Sequence, residues 1–288
     1  MVQTKQVWKP DGLQEAWETA SQLKQDFCFV AGGTWLRTQW ENGEHQPANL
    51  IALDDVPEMH ASIQEDSRHL VIGSLTLLSD LIESPLVLER VPLLQEACSR
   101  IAAPSIRHQA TIGGNIMSAV GDTLPVLLVY EAVFRWYDGT QIIEQPVEEW
   151  VQEEKAPMRL LLEIAIPIRE RPEGTLSFFV KTGRRETFIP SQVTVAGMIL
   201  TDASGSVYDA KLAAGGGSAV PARLHGAEAL FLRSSSRKLF PALMHDQIKR
   251  EFQPPGDVFA SSEYKKRVAA NLIVGEWYRK ERGFVEAQ

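Results

Sequence analysis

Hydrophobic positions along the chain recur with two different periods, and together they predict a mixed fold of helices and strands. Apolar residues spaced three and four apart over 13–23 indicate a helix, which Asp11 can cap. The short apolar run 27–31 indicates a strand that leads into Gly32 and Gly33, and Thr34 can open the next helix. Further elements predicted in the first half are strands at 49–53 and 69–73 and helices at 76–82 and 86–101.

A hairpin and a charged stretch mark the middle of the chain. Asp138 and Gly139 form a typical turn pair between strands predicted at 134–137 and 142–143. The apolar strand 160–166 stops at Pro167, and the charged segment 169–174 follows it. We therefore predict a domain boundary there, with domains at 1–172 and 173–288 and subdomains of the first at about 1–55 and 56–172.

The last third of the chain reads as a sheet followed by helices. Strands are predicted at 177–181, 192–201 and 207–213, and helices at 224–232, 238–252 and 263–280. In the last helix Tyr264, Val268 and Leu272 share one face. Strands followed by helices are typical of the α+β class, in which helices cover one face of an antiparallel sheet.

Composition and charge argue against several classes of function. The 288 residues carry a formal net charge of −8, and the sequence pI is near 5.4, which argues against a nucleic-acid partner. The first ten residues hold no apolar run, and no segment has the apolar length of a membrane span, so we expect a cytoplasmic protein. Cys28 and Cys98 are far apart, so we expect no metal or iron–sulfur cluster held by this chain.

Two pairs of adjacent glycines are the strongest candidates for a binding site. The first is in Ala31-Gly32-Gly33-Thr34, and the second is in Thr111-Ile112-Gly113-Gly114-Asn115. Glycine lets backbone amides approach a ligand closely, and threonine and asparagine add directed hydrogen bonds. Leu36 replaces the third glycine of a dinucleotide fingerprint, and no Gly-Lys-Ser/Thr follows, so neither a Rossmann loop nor a P-loop is predicted. The two pairs instead suggest a long, phosphate-bearing ligand held at two places.

Three other features allow two interpretations each. Asp122 can accept bonds from sugar hydroxyls or cap the helix that follows. The basic run 181–185 is either a solvated face or a place where Lys181 reaches an electron-rich ligand edge. The run Gly215-Gly216-Gly217 is better explained as a turn than as a ligand loop.

The order of these motifs resembles the FAD-binding medium subunit of the xanthine dehydrogenase and carbon monoxide dehydrogenase family of molybdenum hydroxylases. The resemblance covers nearly the whole chain. The matching segments are 29–36, 72–74, 110–115, 121–125, 181–185, 214–217, 221–223 and 264–267.

The resemblance implies a fold, a cofactor and a set of contacts. The N-terminal part would be a two-part FAD-binding domain of the vanillyl-alcohol-oxidase type, and the C-terminal part an α+β domain of the carbon monoxide dehydrogenase flavoprotein type. No residue is implied as catalytic or metal-binding. The implied FAD contacts are Phe29, Val30, Ala31, Gly32, Gly33, Thr34, Trp35, Leu36, Ile101, Thr111, Gly113, Gly114, Asn115, Asp122, Leu162 and Lys181.

The resemblance also implies partners and a role in electron transfer. A molybdenum-cofactor large subunit would oxidise the substrate, and a small subunit with [2Fe–2S] clusters would carry electrons to FAD, with NAD⁺ as the expected acceptor. Xanthine is the expected substrate of the whole complex, and carbon monoxide or an aldehyde or aromatic compound is the alternative. The stretch between Asn115 and Asp122 is slightly shorter than is usual in this family, which leaves open an assembly subunit with weak FAD binding.

Overall fold

The computed structural model describes residues 5–154, 157–170, 172, 174–183, 191–233 and 240–286. The chain forms two compact units. The first unit comprises residues 1–90, 103–118 and 132–168, and the second comprises 91–102, 119–131 and 169–288. The chain therefore enters each unit several times, and the predicted domain boundary after residue 172 stays a prediction.

Strands and helices alternate only from β1 to β3; after that, elements of one kind follow one another in groups. The strands are β1 (Gln6–Trp8), β2 (Phe27–Val30), β3 (Asn49–Ala52), β4 (Ile63–Glu65), β5 (His69–Gly73), β6 (Val133–Tyr137), β7 (Ile142–Pro146), β8 (Leu160–Pro167), β9 (Leu176–Thr182), β10 (Val193–Thr201), β11 (Val207–Gly216) and β12 (Ala219–Arg223). The helices are α1 (Leu13–Leu23), α2 (Thr34–Glu41), α3 (Leu78–Glu83), α4 (Pro85–Arg90), α5 (Pro92–Ser99), α6 (Pro104–Arg107), α7 (Ile112–Met117), α8 (Leu124–Val129), α9 (Val147–Val151), α10 (His225–Arg233), α11 (Phe240–Glu251) and α12 (Ser262–Glu286).

The first unit contains a parallel sheet and an antiparallel sheet. Strands β1, β3 and β2 pair in parallel in that order, and β4, β5, β8, β6 and β7 pair antiparallel in that order. Alternate residues on β6, Phe134 and Trp136, are buried, as the two-residue period of a strand requires. The predicted hairpin is confirmed: Asp138 accepts bonds from the turn amides, and Gly139 has a φ of +97°.

The second unit is an antiparallel sheet with helices packed on it. Its strands lie in the order β12-β11-β10-β9. Every residue of the central strand β10 is buried. The core joins side chains of this sheet, such as Val195 and Leu212, to Met244 of α11 and Ile273 of α12. The predicted α+β class, with an antiparallel sheet and helices in the C-terminal part, is confirmed.

Several local predictions are corrected by the structure. Asp11 does not cap α1: the cap position is Gly12, and the Asp11 amide donates to Glu15 Oε2 at 2.6 Å instead. The helix predicted at 86–101 is divided into α4 and α5, because Pro92 starts a new helix. Strand β12 was not predicted, and residues 238 and 239 of the predicted 238–252 helix lie outside the described residues.

The predicted face of α12 is only partly buried. Tyr264 is 53% exposed, whereas Lys265, Ala269 and Ile273 are fully buried. Val268 and Leu272 pack against the core of the second unit, in line with their predicted shared face, but the spacing gives no sign that Lys265 is buried and donates to the Pro255 carbonyl and to Asp257. In the portion of the chain that the structure describes, no helix, α12 included, is long and apolar enough to cross a membrane.

Candidate functional site

The first glycine pair lies in the turn between β2 and α2. A Cβ on Gly32 would stand 1.8 Å from the carbonyl oxygen of Gln109, so only glycine fits against that backbone. Gly33 has a φ of +66° and takes the cap position of α2, a left-handed conformation that favours glycine. The predicted strand–glycine–helix arrangement is thus present.

The second glycine pair opens α7, and its two members differ in their surroundings. A Cβ on Gly113 would lie 2.7 Å from the carbonyl oxygen of Ser74, so this buried glycine allows two segments of backbone to touch. Gly114 is exposed, and a Cβ there would meet only Thr111 Oγ1, at 3.1 Å. That same threonine oxygen caps the helix by accepting a bond from the Gly114 amide at 3.0 Å.

Within the first unit the structure brings the first glycine pair against the segment that precedes the second pair. Gly32 contacts the backbone of Gln109 and Ala110, which leads directly into the second pair. Gly32 and Gly113 are required by the packing of backbone on backbone, and Gly33 by its conformation. Gly114 has neither requirement and faces solvent, so it is the glycine best explained by the approach of a ligand.

The other predicted contacts of the first unit surround these loops. Phe29 packs against the cluster that contains Leu162, and the Leu162 carbonyl accepts a bond from the Ser74 amide at 2.8 Å. Trp35 is 40% exposed on α2. The remaining predicted residues lie on β2 or the turn after it (Val30, Ala31), on α2 (Thr34, Leu36) and on α7 (Asn115).

The second unit gathers three further predicted residues. Lys181 Nζ, on β9, donates to Asp122 Oδ2 at 2.6 Å and to the Arg100 carbonyl at 3.0 Å, next to Ile101. Ser191 Oγ donates to the other oxygen of Asp122 at 2.6 Å. Both members of the ion pair are nearly buried, with side chains 12% and 10% exposed. We call Asp122, Lys181 and Ser191 the aspartate cluster.

The aspartate cluster excludes one interpretation of Asp122 and one of Lys181, and the predicted cofactor contacts of both residues stay predictions. Asp122 does not cap α8, because the cap position is Thr123 and no side chain caps that helix. Lys181 is not part of a solvated face, because it is buried against Asp122. The positive charge predicted at this position is therefore compensated by a carboxylate. Arg184 and Arg185 lie outside the described residues.

The third glycine run forms a turn, as predicted. Gly216 and Gly217 have φ values of +99° and +64° between β11 and β12. A Cβ on Gly217 would lie 3.5 Å from Nζ of the fully buried Lys265, which donates to the Pro255 carbonyl at 2.9 Å and to Asp257 at 2.6 Å. The hydrogen bond from Lys265 holds the pKa of Asp257 below its ordinary value.

Two serines were missed as site residues in the sequence. Ser191 follows no motif, and only the fold places it against Asp122. Ser74 is 2% exposed, and its hydroxyl is one of the buried polar atoms in the described residues without a hydrogen-bond partner; the others are Trp136 Nε1 and Thr194 Oγ1. No cluster of three or more His, Cys, Asp or Glu side chains that could hold a metal ion occurs in the described ranges.

Two known families match most of the chain. The family described as "FAD binding domain in molybdopterin dehydrogenase" matches residues 3–169. The family described as "CO dehydrogenase flavoprotein C-terminal domain" matches residues 181–279. The first match covers more than half of the 288 residues and includes both glycine pairs.

Individual relatives carry related names. The carbon monoxide dehydrogenase medium chain of Hydrogenophaga pseudoflava is 40% identical over 107 residues, which are 37% of each protein. The xanthine dehydrogenase FAD-binding subunit of Escherichia coli O157:H7 is 31% identical over 106 residues, which are 36% of each protein. The alignments thus span little more than a third of either relative.

A solved structure extends the likeness to the whole fold. A chain of carbon monoxide dehydrogenase from Hydrogenophaga pseudoflava, in a form that lacks the Mo-pyranopterin moiety, matches with a TM-score of 0.85 and 26% identity. The match covers 97% of this chain and 99% of that chain. With the glycine loops in place and both domain families matched, the chain belongs to the FAD-binding subunits of molybdopterin dehydrogenases, which are oxidoreductase flavoproteins with FAD as cofactor.

Proposed function

We propose that the glycine loops of the first unit bind FAD and that the chain is the electron-transfer subunit of a molybdenum hydroxylase. The observation that carries this proposal is Gly114, which is exposed and free of close backbone neighbours in the helix that follows the contact of Gly32 with Gln109 and Ala110. When bound, FAD supplies the redox chemistry, taking electrons from iron–sulfur clusters and delivering them to an acceptor.

The residues around the glycine loops fit such a ligand. Gly33 and Gly114 expose backbone without side chains, and Thr111 fixes the start of α7 by its bond to the Gly114 amide. Phe29, which is only partly buried, adds apolar surface of the kind that packs on a ring system, whereas Leu162 is 5% exposed within the core cluster. The task of these residues is to bind and orient the cofactor, and none of them needs to act as an acid or base.

The contacts implied for the second unit remain part of the proposal. The family resemblance assigns cofactor contacts to Ile101, Asp122 and Lys181. Asp122 already accepts bonds from Lys181 and Ser191, so a ligand hydroxyl would use its remaining lone pairs. Lys181 would then act as half of an ion pair and not as an isolated charge.

The partners and the acceptor are inferred from the relatives. One relative is named as a medium chain, and that name supports a complex that also contains a larger and a smaller subunit. We propose that these partners are a molybdenum-cofactor large subunit and a [2Fe–2S] small subunit. We propose NAD⁺ as the acceptor, and the cytoplasmic location predicted from the sequence stays a prediction. Purification of the native protein, followed by identification of the co-purifying chains and by molybdenum and iron analysis, tests the partners.

The substrate of the complex has two candidates. We predicted xanthine from the sequence, and a xanthine dehydrogenase subunit is among the relatives. Carbon monoxide is favoured by the higher identity of the carbon monoxide dehydrogenase medium chain and by the matched C-terminal family. Assays of the native complex with xanthine and with carbon monoxide, each with NAD⁺ and with a dye as acceptor, separate the candidates.

Titration of the full chain with FAD tests the central proposal. FAD at about 100 times its dissociation constant should stabilise the folded chain by about 2.7 kcal/mol, which a thermal melt detects. The bound flavin should also change its visible spectrum. If saturating FAD neither binds nor raises the melting temperature, the chain is better described as an assembly subunit.

A further inference from the structure

Ser74 presents a buried hydroxyl with no partner next to the second glycine pair. The residue is 2% exposed, and its Oγ makes no hydrogen bond. A Cβ on Gly113 would lie 2.9 Å from Ser74 Cβ, so the serine side chain begins directly against that glycine. A buried hydroxyl without a partner destabilises the fold relative to alanine, which fills nearly the same space.

The backbone of Ser74 is held on several sides, so only rotation about its Cα–Cβ bond can turn the hydroxyl toward a partner. Its amide donates to the Leu162 carbonyl at 2.8 Å, and its carbonyl accepts from the Gly113 amide at 2.9 Å. The preceding Gly73 lies so close to His60 that a Cβ there would stand 2.1 Å from the His60 carbonyl oxygen. The Ser74 backbone and Cβ are thus fixed at the glycine loop, while the hydroxyl has no bond from the protein.

The other two unpartnered atoms have different surroundings. Trp136 Nε1 belongs to a ring that packs with Phe134 and Trp150 and lies beneath the Arg159 guanidinium. Thr194 Oγ1 lies on the buried strand β10 of the second unit. Of these three residues, Ser74 is the one that adjoins a loop for which a ligand has already been argued.

We propose that Ser74 donates a hydrogen bond to a phosphate oxygen of FAD bound at Gly113 and Gly114. This inference rests on the proposed function, because it assumes that FAD occupies the glycine loops. A phosphate oxygen is a strong acceptor, and bonds to charged acceptors are the stronger ones. The bound ligand would satisfy the hydroxyl that the protein leaves unsatisfied at this loop.

The substitution Ser74→Ala tests the proposal through two effects of opposite direction. The variant without FAD should melt at the same or a higher temperature than the wild type, because an unsatisfied hydroxyl is removed. Its dissociation constant for FAD should rise about tenfold, which corresponds to about 1.4 kcal/mol. The ³¹P resonances of bound FAD should shift relative to those in the wild-type chain.

Ser79→Ala is the matched control. Ser79 is 5% exposed on the next helix, and its hydroxyl lies 3.4 Å from Asp80 Oδ1. We expect this variant to keep the wild-type FAD affinity and the wild-type ³¹P spectrum. An equal loss of FAD affinity in both variants would mean that any small cavity in this region weakens binding, and it would overturn the assignment to Ser74.

The outcomes separate this inference from the proposed function. If the wild-type chain does not bind FAD, the proposed function is wrong, and the inference about Ser74 is wrong with it. If it binds FAD and Ser74→Ala binds equally well, only the role of Ser74 is wrong. A weakened affinity with unchanged ³¹P resonances would also overturn the proposal, because the bond would not be to phosphate.

Discussion

The glycine loops of the first unit and the aspartate cluster of the second unit treat their buried polar groups in opposite ways. In the first unit the glycine loops leave the Ser74 hydroxyl without a partner and Gly114 exposed. In the second unit the aspartate cluster satisfies itself: Asp122 accepts bonds from both Lys181 and Ser191. A ligand bound at the glycine loops would supply the hydrogen bond that the Ser74 hydroxyl lacks. A ligand bound at the aspartate cluster would instead add to hydrogen bonds that are already formed.

The glycines of the first unit also differ in whether the protein itself requires them. Gly32 and Gly113 are needed because backbone atoms occupy the space of a side chain. Gly114 has no such neighbour. A glycine motif can therefore combine positions that serve the fold with a position that serves a ligand, and substitution by alanine separates them.

Gly32→Ala should have the largest effect. The new Cβ would stand 1.8 Å from the Gln109 carbonyl oxygen and 2.7 Å from its carbon, and both are backbone atoms. We expect a loss of more than about 4 kcal/mol of stability, in the range that a major backbone clash produces. Chemical denaturation of the full chain measures it. A variant with wild-type stability would show that the two loops do not touch in this way.

Asp122→Ala and Lys181→Met should come next, as a double-mutant cycle on the aspartate cluster. Each single change removes the opposite charge from a nearly buried partner, which then keeps only a bond to a neutral group, the Arg100 carbonyl for Lys181 or the Ser191 hydroxyl for Asp122, and it should cost about 2–4 kcal/mol. The double variant should cost less than the sum of the two, by more than about 1 kcal/mol. Additive losses would mean that the pair contributes nothing beyond its separate contacts, and the contrast between the units would then fail.

Glu131→Gln should have a smaller, pH-dependent effect in the second unit. Burial alone would raise the pKa of Glu131, but the hydrogen bond and charge of Lys211, then those of Arg169, outweigh burial and lower it. A carboxyl group with a lowered pKa stabilises the fold above its ordinary value of 4.5 and loses that contribution as the pH falls through its folded value.

The measurement for Glu131 is therefore a comparison across pH. At pH 7 the glutamine variant should be about 1 kcal/mol less stable, a modest figure because the Glu131 side chain is 36% exposed and solvent screens it. Below pH 4.5 the two proteins should converge as the carboxyl group takes up its proton. A constant difference from about pH 7 to about pH 3 would mean that the carboxylate charge does not matter.

Local patterns predicted most of the elements in both units. The β2–glycine–α2 arrangement, the Asp138–Gly139 hairpin and the antiparallel strands of the second unit all follow from short-range chemistry: glycine at positive φ, turn residues and apolar runs. These features depend on residues close in sequence, and that is why the sequence alone was enough to predict them.

Contacts between distant residues could not be predicted in the same way. The buried face of α12 includes Lys265, because Pro255 and Asp257 supply oxygens that no periodicity reveals. Ser191 reaches Asp122 only through the fold, and Ser74 gains meaning only from the missing partner of its hydroxyl. The glycine pairs were correctly identified as notable, but only their neighbours distinguish a glycine that serves packing from one that faces solvent.

Gly114→Ala should have the smallest effect on stability and still impair binding. A Cβ there meets only Thr111 Oγ1 at 3.1 Å, and alanine is favoured over glycine within a helix by about 1 kcal/mol, so the stability should change by less than that. The exposed Cβ should nevertheless obstruct the ligand and weaken FAD binding by about tenfold or more, about 1.4 kcal/mol.

Gly275→Ala is the matched control for Gly114→Ala. Gly275 also lies in a helix, α12, and a Cβ added to it would have no neighbour within 4 Å, so alanine should stabilise the helix slightly and leave the FAD affinity unchanged. Titration calorimetry with FAD on both variants measures the difference. If Gly114→Ala binds FAD as tightly as the wild type does, no ligand approaches this glycine, and the contrast between the glycines that serve packing and the one that serves binding disappears.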